Sequence, residues 1–231
     1  MIEEVDGYLC ELRRADEGIL QPILKVGGVP VFLEESIWPV CTRCGQAMNF
    51  IAQIPLQRPL RFSHKYAIAY VFMCPGSYDD RGWLLCNTWA SGEGANAVFL
   101  QEDRGRVIVA DAKVAYPDCA VTLRPIKELL IDTSDYDLPD GLRERVSEAT
   151  KIGGVPAWLQ GNGTPKCPRC KGSTILVAQI NAELDGALPA DPSRWGDAYQ
   201  FLDFGDVGLG YVFICANECG RDGAAFLWQS T

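Results

Sequence analysis

Four cysteines near the end of the chain have the spacing of a metal site: Cys167-Pro168-Arg169-Cys170, then Cys215-Ala216-Asn217-Glu218-Cys219. Two short pairs can deliver four thiolates to one ion. Zn2+ suits such a set, because it takes sulfur at about 2.3 Å in a tetrahedron. Four sulfur ligands leave no open position for water or substrate, so the chemistry is structural and not catalytic. A zinc held by four thiolates is doubly negative, and Lys166, Arg169, Lys171 and Arg221 stand close enough in sequence to offset it. Gly172 and Gly220, just past the pairs, are expected to take any positive φ that the tight turns need.

A second set begins at Cys41-Thr42-Arg43-Cys44 and continues at Cys74. Its fourth ligand is either Cys86, beyond a long excursion starting Pro75-Gly76-Ser77, or His64, the single histidine. Cys86 is the better candidate. The alternative is a decayed copy whose thiols are buried as small hydrophobes. The expectation is therefore one zinc at Cys167, Cys170, Cys215 and Cys219, with a second admitted at Cys41, Cys44, Cys74 and Cys86. Cys10 and Cys119 fit neither set and read as packing residues.

These cysteines lie in a stretch written twice. Lys25-Val26-Gly27-Gly28-Val29-Pro30 returns 126 residues later as Lys151-Ile152-Gly153-Gly154-Val155-Pro156, and Ala52-Gln53-Ile54 returns as Ala178-Gln179-Ile180. Tyr70-Val71-Phe72-Met73-Cys74 matches Tyr211-Val212-Phe213-Ile214-Cys215, and Ala97-Val98-Phe99-Leu100 matches Ala224-Ala225-Phe226-Leu227. A unit this long, present twice, predicts a pseudo-symmetric pair and not a solenoid. The boundaries are 1–105 for the first repeat, 106–137 for a connecting segment that adds an edge strand, and 138–231 for the second repeat.

Short apolar runs rich in β-branched and aromatic residues predict strands over 67–73, 174–180 and 210–215, with weaker ones at 107–110 and 119–123. A helix is expected from Pro139 to Thr150, where Leu142, Val146 and Ala149 share a face, with a shorter counterpart around Glu17 to Leu24. Gly186 to Gly196 reads as a surface loop. The fold class predicted is α+β, β-dominated, with two zinc-knuckle β units packed about a pseudo-two-fold axis as one globular unit.

Apolar residues make up 48% of the 231, enough for a substantial core. No apolar run approaches a membrane span, and the acidic start lacks the apolar region of an export signal. Ten cysteines in such a chain suit a reducing, cytoplasmic setting. The net charge of −9 disfavours nucleic acid and anionic membranes, and is compatible with a basic protein partner.

Catalytic patterns are thin: there is no Gly-x-Ser-x-Gly elbow and no His-Glu-x-x-His, and one histidine must serve any general base. No catalytic residue is assigned. Gly27-Gly28 and Gly153-Gly154 lack the Gly-Lys-Ser/Thr of a phosphate loop and read as turns. Gln53 and Gln179, ending apolar strands, read as caps for neighbouring backbone, with contact to a ligand the lesser reading. The tryptophans read as core and groove lining.

The duplicated motifs resemble the YwqG-like family of uncharacterised bacterial proteins. Lys151 to Gln160, Gly210 to Cys215 and Gly94 to Gln101 carry the likeness. The knuckles and Phe62-Ser63-His64-Lys65-Tyr66 are also similar to programmed cell death protein 2 relatives, which are implicated in carrying a new ribosomal protein. That resemblance implies a duplicated β fold and a protein client. The long Cys74–Cys86 spacing departs from it. The functional expectation is a zinc-stabilised protein-binding or chaperone-like module. The alternatives are an immunity or antitoxin-like protein neutralising a basic partner, and an enzyme with a small-molecule site between the repeats.

Overall fold

A computed structural model describes the chain except residues 1–2, 58–60, 78, 83–84, 136, 140, 184–201, 203 and 206. In chain order its strands are β1 (Glu4–Arg14), β2 (Lys25–Val26), β3 (Val31–Phe32), β4 (Asn49–Pro55), β5 (Ile68–Met73) and β6 (Asn96–Gln101). They continue as β7 (Ile108–Val109), β8 (Cys119–Leu129), β9 (Lys151–Gly153), β10 (Thr174–Asn181), β11 (Gly208–Cys215) and β12 (Ala224–Ser230). Ten form one antiparallel sheet in the order β12-β11-β10-β9-β1-β8-β2-β4-β5-β6, and β3 pairs with β7 separately.

The duplication is visible in that order, which reads alike from either edge and meets at the long β1–β8 ladder. Register obeys it too. Lys25 and Val26 pair with Gln53 and Ala52, and their copies Lys151 and Ile152 pair with Gln179 and Ala178. Even the bulge is copied: the ladder shifts between Phe50 and Ala52, and again between Leu176 and Ala178. A bulge bends a sheet. The connecting segment supplies β8, which sits at the centre of the sheet and not at an edge.

The α+β expectation is overturned: among the described residues there is no α-helix, and the fold is all-β. Among the described residues of 139–150 only one 3-10 turn forms, Arg143–Arg145, after Gly141 at φ 79 and before Val146 in extended conformation. The backbone groups a helix would need are taken by distant side chains. Ser147 N–H donates to Glu128, while the Ser147 and Ala149 carbonyls accept from Gln179 Nε2. The stretch from Glu17 to Leu24 is non-helical for the same reason. Ile19 N–H donates to Asp118, and the carbonyls of Gln21 and Ile23 accept from Gln53. Tertiary bonds replace the local ones. The predicted loop from Gly186 to Gly196 lies outside the described residues.

Both faces of β5 and β11 are covered, which is why they read as unbroken apolar runs. One core unites Val26, Ala52 and Ile54 with their copies Ile152, Ala178 and Ile180. On the opposite face each repeat has its own cluster, around Tyr70 and Phe72 in the first and Tyr211 and Phe213 in the second. The sheet curls until its outer strands β6 and β12 approach one another. No described helix is long and apolar enough to cross a membrane.

Candidate metal centres

Each centre is assembled from two loops at the ends of neighbouring strands. In the first repeat, the turn Cys41–Gly45 precedes β4 and closes through Gly45 N–H to the Cys41 carbonyl (2.9 Å). Its copy closes through Lys171 N–H to the Cys167 carbonyl at the same length. The facing loops leave the ends of β5 and β11, where Cys74 and Cys215 stand. Backbone N–H groups point at these sulfurs from matched positions: Gly76 to Cys74 Sγ and Asn217 to Cys215 Sγ, both 3.4 Å.

The sulfurs converge in two sets. Cys41, Cys44, Cys74 and Cys86 lie within 4.8 Å of one another, as do Cys167, Cys170, Cys215 and Cys219. Cys44 and Cys74 are 3.5 Å apart and Cys41 and Cys86 3.8 Å. In the other set Cys167–Cys219 and Cys170–Cys215 are each 3.5 Å. All eight are free thiols. A tetrahedron with metal–sulfur bonds of about 2.3 Å has edges of about 3.8 Å, so each set is sized to hold an ion.

Cys86, not His64, completes the first set. Leu85 N–H donates to the Ser77 carbonyl (2.7 Å), drawing the excursion back so that Cys86 reaches the cluster fully buried. His64 is exposed, and its backbone N–H donates to Glu218 (2.8 Å). Cys10 and Cys119 pack in the shared core as expected. Burial raises the Cys10 thiol to about 12 and that of Cys119 to about 11, which leaves both inert.

Electrostatics favour a cation in each set. Burial opposes ionisation of Cys41, but the N–H groups of Cys44 and Arg43 outweigh it and bring the thiol down to about 7. Cys215 falls to about 7 in the same way, burial being outweighed by the N–H groups of Cys219 and Asn217. Their neighbours move the other way. Burial, followed by the adjoining thiols, pushes Cys86 up to about 11 and Cys219 up to about 12, and Cys74 also rises. One thiolate per set forms readily while others resist, because like charges in close contact cannot all ionise. A bound divalent cation removes that conflict.

Two details differ from the sequence reading. The positive φ falls on Lys171 (60°) and Glu218 (47°), not on Gly172 or Gly220. Gly172 and Gly220 instead give close approach, since an added Cβ would meet Cys170 Sγ at 3.2 Å and Arg169 Cδ at 2.6 Å respectively. Three of the four cations near the second set also have other partners: Arg169 pairs with Asp222 (2.8 Å) while still interacting with the Cys219 charge, Lys171 donates to the Pro168 carbonyl and Arg221 pairs with Glu34.

The other matched polar residues are spent on the scaffold. Gln53 accepts from Val31 N–H and donates to the Gln21 and Ile23 carbonyls; Gln179 repeats this with Ala157, Ser147 and Ala149. The Tyr70 and Tyr211 hydroxyls donate to the Val31 and Ala157 carbonyls. Two clasps were missed in the sequence. Gln101 bonds Leu33 and Glu34, and Gln229 bonds Leu159, Gln160 and Gly161. The matched lysines were missed as well. Lys25 and Lys151 are fully buried, bonding Asp118 (3.1 Å) and Glu128 (2.8 Å). Burial pulls each ammonium below the usual lysine value, and its carboxylate works against that.

No protein-family model matches the chain, and a search of curated proteins also finds no match.

Proposed function

We propose that the protein is a zinc-stapled β scaffold that binds another protein, a chaperone-like module of the YwqG-like kind. The observation that carries this is the pair of four-cysteine sets, each closed and sized for a tetrahedral ion. Zinc fits an all-thiolate site that needs no redox chemistry. Cys41, Cys44, Cys74 and Cys86 would hold one ion, and Cys167, Cys170, Cys215 and Cys219 the other. Each ion would tie the ends of two strands together. The shared buried glutamines, tyrosines and lysines support binding over catalysis, because they spend their hydrogen bonds on the fold.

The repeats diverge at one surface beside the first centre. A cleft of about 780 Å³ is lined by apolar Trp38, Ala47, Met48, Pro75 and Val114 and by polar Gln46, Asn49, Asp111 and Lys113. The copy of Trp38 is Thr164 and that of Met48 is Thr174, so the scaffold does not require these apolar groups. Ile37 and Val40, both exposed, correspond to Gly163 and Lys166. A cleft of mixed apolar and polar lining on a chain of charge −9 suits an extended segment, with both apolar and basic side chains, of a basic partner protein.

A photo-crosslinker at Val114 tests this reading. The expected product is one dominant adduct with a Lys- and Arg-rich protein, weakened when Val40→Lys is added. An adduct of an acidic protein, or no adduct while the chain turns over a small molecule, would contradict it.

A further inference from the structure

The two cysteine loops meet the same seam from opposite ends. β6 and β12 close the curl of the sheet, yet they share no strand ladder. At one end the loop between β11 and β12 crosses to the first repeat. The Arg221 carbonyl accepts from Leu100 N–H (2.9 Å), and its guanidinium pairs with Glu34 (3.4 Å). The Glu218 carboxylate accepts from His64 N–H (2.8 Å) and Lys65 N–H (3.1 Å). At the other end the chain just past Cys86 reaches β12. Trp228 N–H donates to the Trp89 carbonyl (3.2 Å), Trp228 Nε1 donates to Thr88 (3.3 Å), and the two indoles meet edge-on at 6.4 Å.

We infer that these loops are clamps, and that occupancy of the cysteine sets controls closure of the β6–β12 seam. The inference rests on the reading of the sets as metal centres. Glu218 lies between two ligands, Cys215 and Cys219, in a left-handed conformation that a non-glycine residue adopts only when its surroundings impose it. Ala216, Asn217, Arg221 and Asp222 are exposed, so little burial holds that loop in shape. Cys215 Sγ accepts from Asn217 N–H, and the sulfur positions therefore fix where Glu218 points. Behind the seam lie Leu100 and Phe226, each 1% exposed, in the core shared by both repeats. Loss of an ion frees its loop, releases one end of the seam and uncovers apolar side chains. The opposite ladder, β1–β8, holds the repeats together meanwhile.

Amide exchange at Leu100 and Trp228, read residue by residue in the zinc-loaded protein, tests the clamp. Glu218→Asn keeps every cysteine and tolerates positive φ, but is too short to span both amides. It should retain both zinc ions and speed exchange at Leu100 on the order of tenfold, the effect of losing charge-assisted hydrogen bonds. Cys170→Ser should speed exchange further at Leu100, with the β1–β8 amides unchanged. Unaltered protection at Leu100 in Glu218→Asn would overturn the clamp while leaving the metal reading intact. A wild-type chain that binds no zinc overturns the metal reading instead. Should Cys170→Ser unfold outright, the fully metallated Glu218→Asn protein still decides.

Discussion

The first repeat brings its fourth sulfur from Cys86, at the end of a long excursion, while the second finds it at Cys219, four residues after Cys215. Both sets nevertheless close to the same size. The buried lysines show the same freedom of route. Lys25 takes its carboxylate from Asp118, the residue just before β8. Continuing the pairing of β2 with β8 sets Asp118 beside Gly27, as Gly7 of β1 sits beside Gly153. Gly7 has no side chain to offer, so Glu128 from the next strand reaches Lys151 instead, bonding it through both oxygens (2.8 and 2.9 Å). An added Cβ on Gly28 would strike Asp118, and one on Gly154 would strike Glu128. What is held constant is the convergence of charge or sulfur at a point; the path of the chain is not.

The comparison can be broken most severely by removing the metal. Zinc binding worth about 10–16 kcal/mol per site exceeds or matches a domain stability of about 5–15 kcal/mol. Chelation of both ions should therefore lower the midpoint of the thermal transition further than any substitution below, followed by near-ultraviolet circular dichroism. Next come the lysines. Lys151→Met strands a buried carboxylate and should cost about 3–5 kcal/mol in urea unfolding. Lys25→Met should cost less, because Asp118 is 11% exposed against 2% for Glu128.

The glutamine clasps sharpen the likeness in place of the difference. Gln53→Ala and Gln179→Ala each remove three matched bonds and should each cost about 2–4 kcal/mol, equal within error. A large inequality in their denaturation midpoints would mean the repeats are not energetically equivalent. The mildest effect is kinetic. Cys170 is exposed, whereas Cys41, Cys74 and Cys86 are buried. A chromophoric chelator should therefore draw metal from the second centre before the first, in two resolved phases.

The cysteine sets were legible because metal ligation fixes residue type and local spacing, which duplication then displays twice. The strands β5 and β11 were legible because burial on both faces writes an apolar run, and β10 because its β-branched and apolar residues are continuous even where Ile175 is exposed. The helix from Pro139 to Thr150 was misread for a reason the local sequence does not hold: Gln179 and Glu128 take its backbone groups. The buried lysines stood inside the repeated motif, but lysine is ordinarily exposed, and their carboxylate partners come from unmatched positions. Gln101 and Gln229 escaped notice because they lie beyond the aligned strand block, by one residue and by two, and so do not match at its offset. The seam was invisible, since Glu218 meets His64 and Lys65 only after the sheet has curled.

Native mass spectrometry of the purified chain, with cysteine variants beside it, bears most directly on the two-centre account. Two zinc ions are predicted for the wild type, falling to one in Cys41→Ser and likewise to one in Cys167→Ser. A metal-free wild type, or variants that both keep two ions, would contradict it.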